Sequence, residues 1–419
     1  MNARSCFPAV ALSLCTALPA VGGGKTPTPA NAFAKIQRDG KPYPAFYNYY
    51  ICPHAVEEGG KVFCAYQDGQ GRPIAMAYDP AARTWTGPVR ASSHGLGKDT
   101  HGNPSICIDR RGRIHLFFGC HGRKMWHARS ARAYDITKWE PMGHPTGRAT
   151  YPEIMRMADG KLLLFYRAGG HVEPWSMRSS DDDGATWSDP ERIIEMRLAP
   201  KDPLAAAYCA FLPGAAYETI HCFFVHKDDN PPRVRPGRPH PWRPLKYPGL
   251  HEAVYRYNVY YIRRDAAGVW RGCDGAKLNL PVSKAEADAH AKVHDTGDEF
   301  ASHRLIAIGA DDTPYLKLHQ GVSDWKRGKV IVPGRTMFAS PRGGKWRISR
   351  QLPADWPAPV RRQMATPGPA AYGKTFPNPW FIHHARGPKA DPTATYIWLG
   401  HAEKGYAPRQ GGPATSPKH

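Results

Sequence analysis

Short apolar runs, each closed by Gly, Asp or Pro, recur along the whole chain. They occupy residues 62–66, 74–78, 114–119, 162–166, 219–225, 259–262, 304–308 and 396–399. Runs of that length suit strands, and a chain made of many of them must bury its core between antiparallel sheets. Helical periodicity is scarce, with 284–294 the best candidate. A tryptophan punctuates the pattern: Trp85, Trp139 and Trp187 stand 54 and 48 residues apart. Sheet-sized units at that period predict an all-β array, about seven units between residues 35 and 405. The next interval, 83 residues to Trp270, is too long for one unit. Part of the excess is residues 227–250, rich in Pro and Arg, which suits a basic surface loop rather than a regular strand.

The clearest turn has Ser180, Asp182, Gly184, Thr186 and Trp187 at fixed offsets. It resembles the Asp-box of sialidase-type propellers, in which Asp bonds turn amides, Gly supplies an unusual backbone angle and Trp packs between blades. Degenerate versions end at Trp85, Trp139, Trp270 and Trp346. The resemblance implies a seven-bladed β-propeller over residues 32–410. It would be preceded by a flexible lead-in, 21–31, and followed by a disordered tail, 411–419.

The chain carries 57 Lys+Arg against 36 Asp+Glu in 419 residues, a formal charge of +21. Such a field gathers polyanions. No RNP, zinc-finger or helix-turn-helix pattern accompanies it, which turns the expectation from nucleic acid to acidic polysaccharide. Residues 1–20 read as a secretory signal peptide: Arg4 in the charged region, an apolar stretch at 7–18, and a small-residue site at Leu18, Pro19 and Ala20. The expectation is a secreted or periplasmic monomer with no membrane span. Seven cysteines follow that segment, an odd number without CxxC, and most lie in apolar runs as small buried hydrophobes. One disulfide has room to form, with no pair named.

Chemistry concentrates in residues 101–121. His101, Gly102, Asn103, Pro104 and Ser105 lead into one strand. Asp109 and Gly112 mark a turn, and a second strand ends at Gly119, Cys120, His121 and Gly122. A hairpin of that length brings its two terminal histidines to one sheet edge, a setting for proton transfer near neutral pH. With Tyr151, Pro152 and Glu153 and the turn at Ser180, this pattern resembles the BNR-4 group of propellers. That group includes the ulvan lyases of polysaccharide lyase families 24 and 25. The match is clearest over residues 95–230.

The resemblance implies β-elimination at a uronic acid of a sulfated polysaccharide. A base takes the C5 proton, an acid protonates the oxygen leaving C4, and an arginine neutralises the carboxylate. His101 matches the base, His121 a second active-site histidine, Tyr166 the catalytic tyrosine and Arg178 the neutralising arginine, with Arg167 its rival. Asn103, Tyr208 and His226 match residues lining the groove. This chemistry requires no cofactor. A structural zinc or calcium remains open: His290 and His294 are spaced to share a helical face, and Cys273, His303 and His401 could add to such a site. The alternatives are a sialidase-like glycoside hydrolase, which would use paired carboxylates, and a carbohydrate-binding propeller without catalysis.

Overall fold

The computed structural model describes residues 33–35, 53–97, 99–197, 205–229, 254–324, 328–365, 380–386 and 395–401. The segment at 1–20, the lead-in, the tail and residues 230–250 of the basic loop lie outside them. The described chain is almost entirely strand. β1 (Phe33–Lys35) is followed by β2 (Ala55–Glu58), β3 (Lys61–Gln67), β4 (Pro73–Asp79) and β5 (Thr84–Arg90), the last four forming one sheet in chain order. Next come β6 (Ser105–Ile108), β7 (Ile114–Phe118), β8 (His121–Arg123), β9 (Trp126–Ser130) and β10 (Trp139–Pro141). β6, β7, β9 and β10 make a second sheet. β8 leaves it and pairs with β11 (Ala149–Arg156) of the third, with β12 (Leu162–Arg167), β13 (Trp175–Ser180) and β14 (Glu191–Ile194) beyond.

The fourth sheet holds β15 (Ala205–Pro213), β16 (Ile220–Asp229), β17 (Val254–Arg264), β18 (Trp270–Gly272) and β19 (Lys292–His294). The fifth holds β20 (Phe300–Ile308), β21 (Pro314–Asp324), β22 (Lys329–Arg342) and β23 (Lys345–Ser349). β24 (Trp380–Arg386) and β25 (Thr395–His401) complete a sixth with β1, so strands from both ends of the described chain share one sheet. The class is all-β, and the described residues form six antiparallel sheets. The expected helix at 284–294 is helical only over Lys284–Glu286 and Ala287–Ala291 before it extends into β19.

The first four sheets are joined at or next to their leading strands. Ile106 N–H donates to Pro53 O, Ile154 N–H to Ser105 Oγ (3.3 Å) and Phe211 N–H to the Glu153 carboxylate (2.7 Å). A cavity of about 630 Å³ lies among these strands, lined by Val56, Ile106, Ile108, Ile154, Met155 and Phe211. The largest apolar cluster packs the third, fourth and fifth sheets together, from Phe165 and Trp175 through Phe211 and Phe224 to Leu316. Burial of this kind contributes about 25 cal/mol per Å² of apolar surface and dominates folding.

The turn after β13 follows its sequence logic. Asp182 accepts from Thr186 N–H (2.9 Å) and Thr186 Oγ1 (2.6 Å), which holds its carboxyl down at about 2. Gly184 has φ +79°, and Trp187 sets its ring edge against Phe117. Cys64, Cys107, Cys120 and Cys222 are buried free thiols, as their apolar neighbourhoods in the sequence implied, and Cys209 is another.

Between the second and third sheets runs a buried polar chain. His115 Nε2 meets the Asp109 carboxylate at 3.1 Å, and His115 Nδ1 meets His127 Nε2 at 2.8 Å. A carboxylate only accepts, so neutral His115 carries its proton on Nε2 and takes the Nε2–H of His127 on Nδ1. His127 Nδ1 is then a bare acceptor, buried and without a partner among the described residues. Burial holds both imidazoles below the usual histidine range; at His127 the charges of His115 and Arg129 act in the same direction.

Folded His127 therefore stays neutral where the unfolded chain takes up a proton. Its contribution to stability is present above about pH 6.5 and is lost as pH falls. Thermal melts should show a lower Tm at about pH 5.5 than at about pH 7.5, worth up to about 1.4 kcal/mol per pH unit for this group. His127→Phe should show a shallower dependence over the same interval. Equal slopes in the two proteins would remove His127 from the account.

Candidate active site

The open end of the β6–β7 hairpin is built by two loops that touch. Asp99 caps the short turn Thr100–Gly102, its carboxylate accepting from His101 N–H (3.0 Å). Gly119 N–H donates to Gly102 O (2.9 Å), tying the loop before β6 to the loop after β7. Gly102 has no room for a side chain, because a Cβ would sit 2.6 Å from Leu96 Cβ. Gly119 turns the chain at φ +72°, a backbone that favours glycine. The result is that His101 and His121 stack, with ring centroids 3.9 Å apart.

One carboxylate holds both rings. Asp99 Oδ1 meets His101 Nδ1 at 2.5 Å, and Asp99 Oδ2 meets His121 Nδ1 at 2.7 Å. Burial would raise the Asp99 pKa, but hydrogen bonds from His121 and His101 outweigh it and keep the carboxyl below its ordinary value. Burial also brings His101 down to about 4 against the pull of Asp99. Its imidazole is thus neutral at physiological pH, with a lone pair to offer. Asp99, His101 and His121 are also the one group of three metal-ligand types brought together among the described residues, their donor atoms within 4.8 Å of one another.

Beside the pair lies a second set. Tyr151, at φ +62°, is buried 5.4 Å from His101 by ring centroids and stacks on Trp175. A bulky residue at positive φ is strained, and such strain persists where the surroundings over-determine it. The Arg167 guanidinium lies 4.7 Å from the centre of the Tyr151 ring. Arg167 is wholly buried, and none of its three guanidinium nitrogens has a hydrogen-bond partner among the described residues. A buried charge without a counter-ion costs several kcal/mol.

Tyr208 stands 5.9 Å from Tyr151 by ring centroids, with Arg256 and Lys227 at 4.7 and 5.3 Å from its own ring centre. Burial would raise the Tyr208 pKa. The charges of Lys227, Arg256 and Arg167 outweigh burial and hold the phenol below its usual range. Lys227 Nζ reaches His171 Nδ1 at 3.0 Å, and His171 sets its ring edge toward His121 at 6.4 Å, returning to the histidine pair.

The structure brings His101, His121, Arg167 and Tyr208 into this region. It does not bring Tyr166 and Arg178 there. Side chains alternate along a strand. On β12, Leu162, Leu164 and Tyr166 therefore enter the apolar cluster with Phe117 and Cys120, while Arg167 faces the other way. The Tyr166 hydroxyl accepts from Arg178 Nε (3.4 Å), and Arg178 also donates to Ser188 O (2.9 Å), away from the histidines. Tyr208 pairs with Val225 and Ala207 with His226, so His226 lies on the opposite face of its sheet from Tyr208, next to Tyr257. Asn103 is buried at the end of the Thr100–Gly102 turn.

His290 and His294 take different partners, Asp274 and Gln320, and do not converge. The side chains of His303 and His401 lie outside the described residues. Sequence reasoning missed Asp99, two residues before His101, and gave no role to Tyr151 although it had noted the Tyr-Pro-Glu run.

Six antiparallel sheets, a stacked pair of imidazoles, a cation-flanked phenol and a buried arginine without a hydrogen-bond partner among the described residues define an all-β repeat protein with one candidate site. The chain belongs to the BNR repeat-containing family, whose model matches residues 61–350. It is 26% identical over 318 residues to the ulvan lyase PL25 of Pseudoalteromonas sp. (strain PLSV), covering 70% of this chain and 62% of that protein. It is also 26% identical over 318 residues to an ulvan lyase of Alteromonas sp. (strain LOR), covering 70% and 63%. The chain thus spans a little over three fifths of the length of these curated relatives. Among solved structures, a PL25 ulvan lyase bound to -[GlcA(1-4)Rha3S]- matches with a TM-score of 0.64 and 24% identity, over 75% of this chain and 73% of that one.

The electrostatics of Tyr208 can be read directly. Subtracting the ultraviolet pH titration of Tyr208→Phe from that of the wild type isolates this phenol. Its midpoint should fall below the usual value of about 10, and Arg167→Met should move it upward. A midpoint unmoved by Arg167→Met would separate the two side chains.

Proposed function

We propose that this chain is a polysaccharide lyase that cleaves a uronic-acid-containing, sulfated polysaccharide by β-elimination. The observation that carries the proposal is Arg167: a buried guanidinium with no hydrogen-bond partner among the described residues, set near the neutral His101 and a phenol held below its usual range. A uronate carboxylate would supply the missing counter-ion through two parallel hydrogen bonds. With its charge neutralised there, the C5 proton becomes acidic enough for transfer. His101 takes that proton, the C5–H electron pair forms the C4–C5 double bond, and the C4–O bond breaks. Tyr208 gives its proton to the departing oxygen, helped by the cations that stabilise its phenolate. Exchange with solvent resets both groups.

The names of the relatives, ulvan lyases, and the oligosaccharide held by the PL25 structure support a glucuronate-containing, sulfated polymer as substrate. The proposal includes export, since such a polymer lies outside the cell, and proton transfers that draw on side chains alone. It takes the six sheets as blades of one propeller; a seventh blade would have to come from residues outside those described.

The experiment is a panel of uronate polysaccharides read by the ultraviolet absorbance of the new double bond. Wild-type protein should generate it. His101→Ala should lower kcat by about 10²–10⁴-fold, and Arg167→Met by about 10²–10³-fold. Arg178→Ala should stay within a few-fold of wild type. Reducing ends without the absorbance would mean hydrolysis, and neither signal would mean binding alone. Loss of activity in Arg178→Ala with retention in Arg167→Met would return the neutralising role to Arg178.

A further inference from the structure

We infer that Asp99 is the positioning residue of the site: it fixes both histidines with their protons on Nδ1, so that both present Nε2 as acceptors and neither can serve as the acid. The inference rests on the lyase reading for its catalytic meaning, but its structural part stands on the donor and acceptor chemistry of three side chains.

An ionised carboxylate has acceptors only. Asp99 Oδ1 lies against His101 Nδ1 and Oδ2 against His121 Nδ1. Each contact is a hydrogen bond only if the nitrogen carries the proton. A neutral imidazole has one N–H, so the other nitrogen of each ring, Nε2, is left with a lone pair. The choice of tautomer is thereby made twice by one side chain, as second partners commonly set it for functional histidines. The two rings stack with centroids 3.9 Å apart, so both acceptors belong to one site.

A division of labour follows. Two bases held this way can receive the C5 proton, but a neutral ring protonated on Nδ1 has nothing on Nε2 to give to the leaving oxygen. The donor must come from elsewhere, and the cation-flanked Tyr208 is the group equipped to supply it. His121 then backs His101 as an acceptor rather than acting as its opposite number.

Asp99→Asn tests this without dismantling the turn, because the amide oxygen still accepts from His101 N–H. One amide oxygen and one NH₂ cannot both accept, so one ring must change tautomer or lose its partner. With histidine labelled by ¹⁵N, long-range proton–nitrogen correlation should show His101 and His121 both protonated on Nδ1 in the wild type. In Asp99→Asn at least one of the two signatures should switch. kcat should fall by about 10²-fold or more, as for other orienting carboxylates replaced by amide, with KM within about threefold. Asp99→Glu should recover part of the rate.

Wild-type signatures showing Nε2–H on either ring would overturn the inference. So would an Asp99→Asn protein with both signatures and kcat unchanged. Loss of wild-type turnover in EDTA, restored by Zn²⁺, would also overturn it by making the trio a metal site. If no uronate polymer yields the double bond, the lyase reading fails while the tautomer measurement still decides the role of Asp99.

Discussion

The hydrogen bond from Gly119 N–H to Gly102 O closes the open end of one hairpin, and the chemistry of the molecule is arranged around that closure. Without it, the loop before β6 and the strand after β7 would be separate surface segments. With it, a capped turn and a positive-φ glycine place two imidazoles in van der Waals contact over a shared carboxylate. The third and fourth sheets then add Arg167 and Tyr208 from positions in strand register, and Tyr151 from the register shift in β11, where its φ is +62°. Strands hold the charged and phenolic groups together with His121, while the short turn Thr100–Gly102 holds His101.

The cations illustrate two different uses of charge. The excess of basic residues along the chain is a diffuse field, screened by salt beyond about 8 Å under physiological conditions. Arg167, Lys227 and Arg256 are different, since they are gathered about two phenol rings inside the protein. There the interaction is weakly screened, and it reverses the sign of the pKa shift that burial alone would give Tyr208. A composition of +21 foretells an attraction to polyanions, whereas the acidified phenol depends on three particular positions.

Much of the architecture was legible because it follows from local pattern. Short apolar runs became strands, the Ser180 turn formed its expected hydrogen bonds, and the 20-residue spacing of His101 and His121 matched a closed hairpin. What was not legible turned on parity. Tyr166 and Arg167 are neighbours in sequence and opposites in space, because a strand shows alternate residues to alternate faces. A motif can be aligned correctly and leave open which of two neighbouring residues faces the histidine pair. The same rule puts His226 on the opposite face of its sheet from Tyr208. Asp99 was hidden for another reason: its role depends on how a loop folds back, and no spacing encodes that.

β8 is short, yet its placement has consequences beyond the site. His121 leaves the sheet whose hairpin delivers it and is pinned, through Thr150, to the next sheet. Its ring, however, is bonded to Asp99 in the loop that belongs to the first. The histidine pair is therefore a seam between two sheets rather than a fixture of either. Any opening of that seam pulls the imidazoles apart before it disturbs either sheet's own ladder. The ring geometry becomes a strain gauge for how tightly neighbouring repeats are pressed together. Substitutions deep between the second and third sheets would then register at the surface as changes in ring separation, with both sheets still intact.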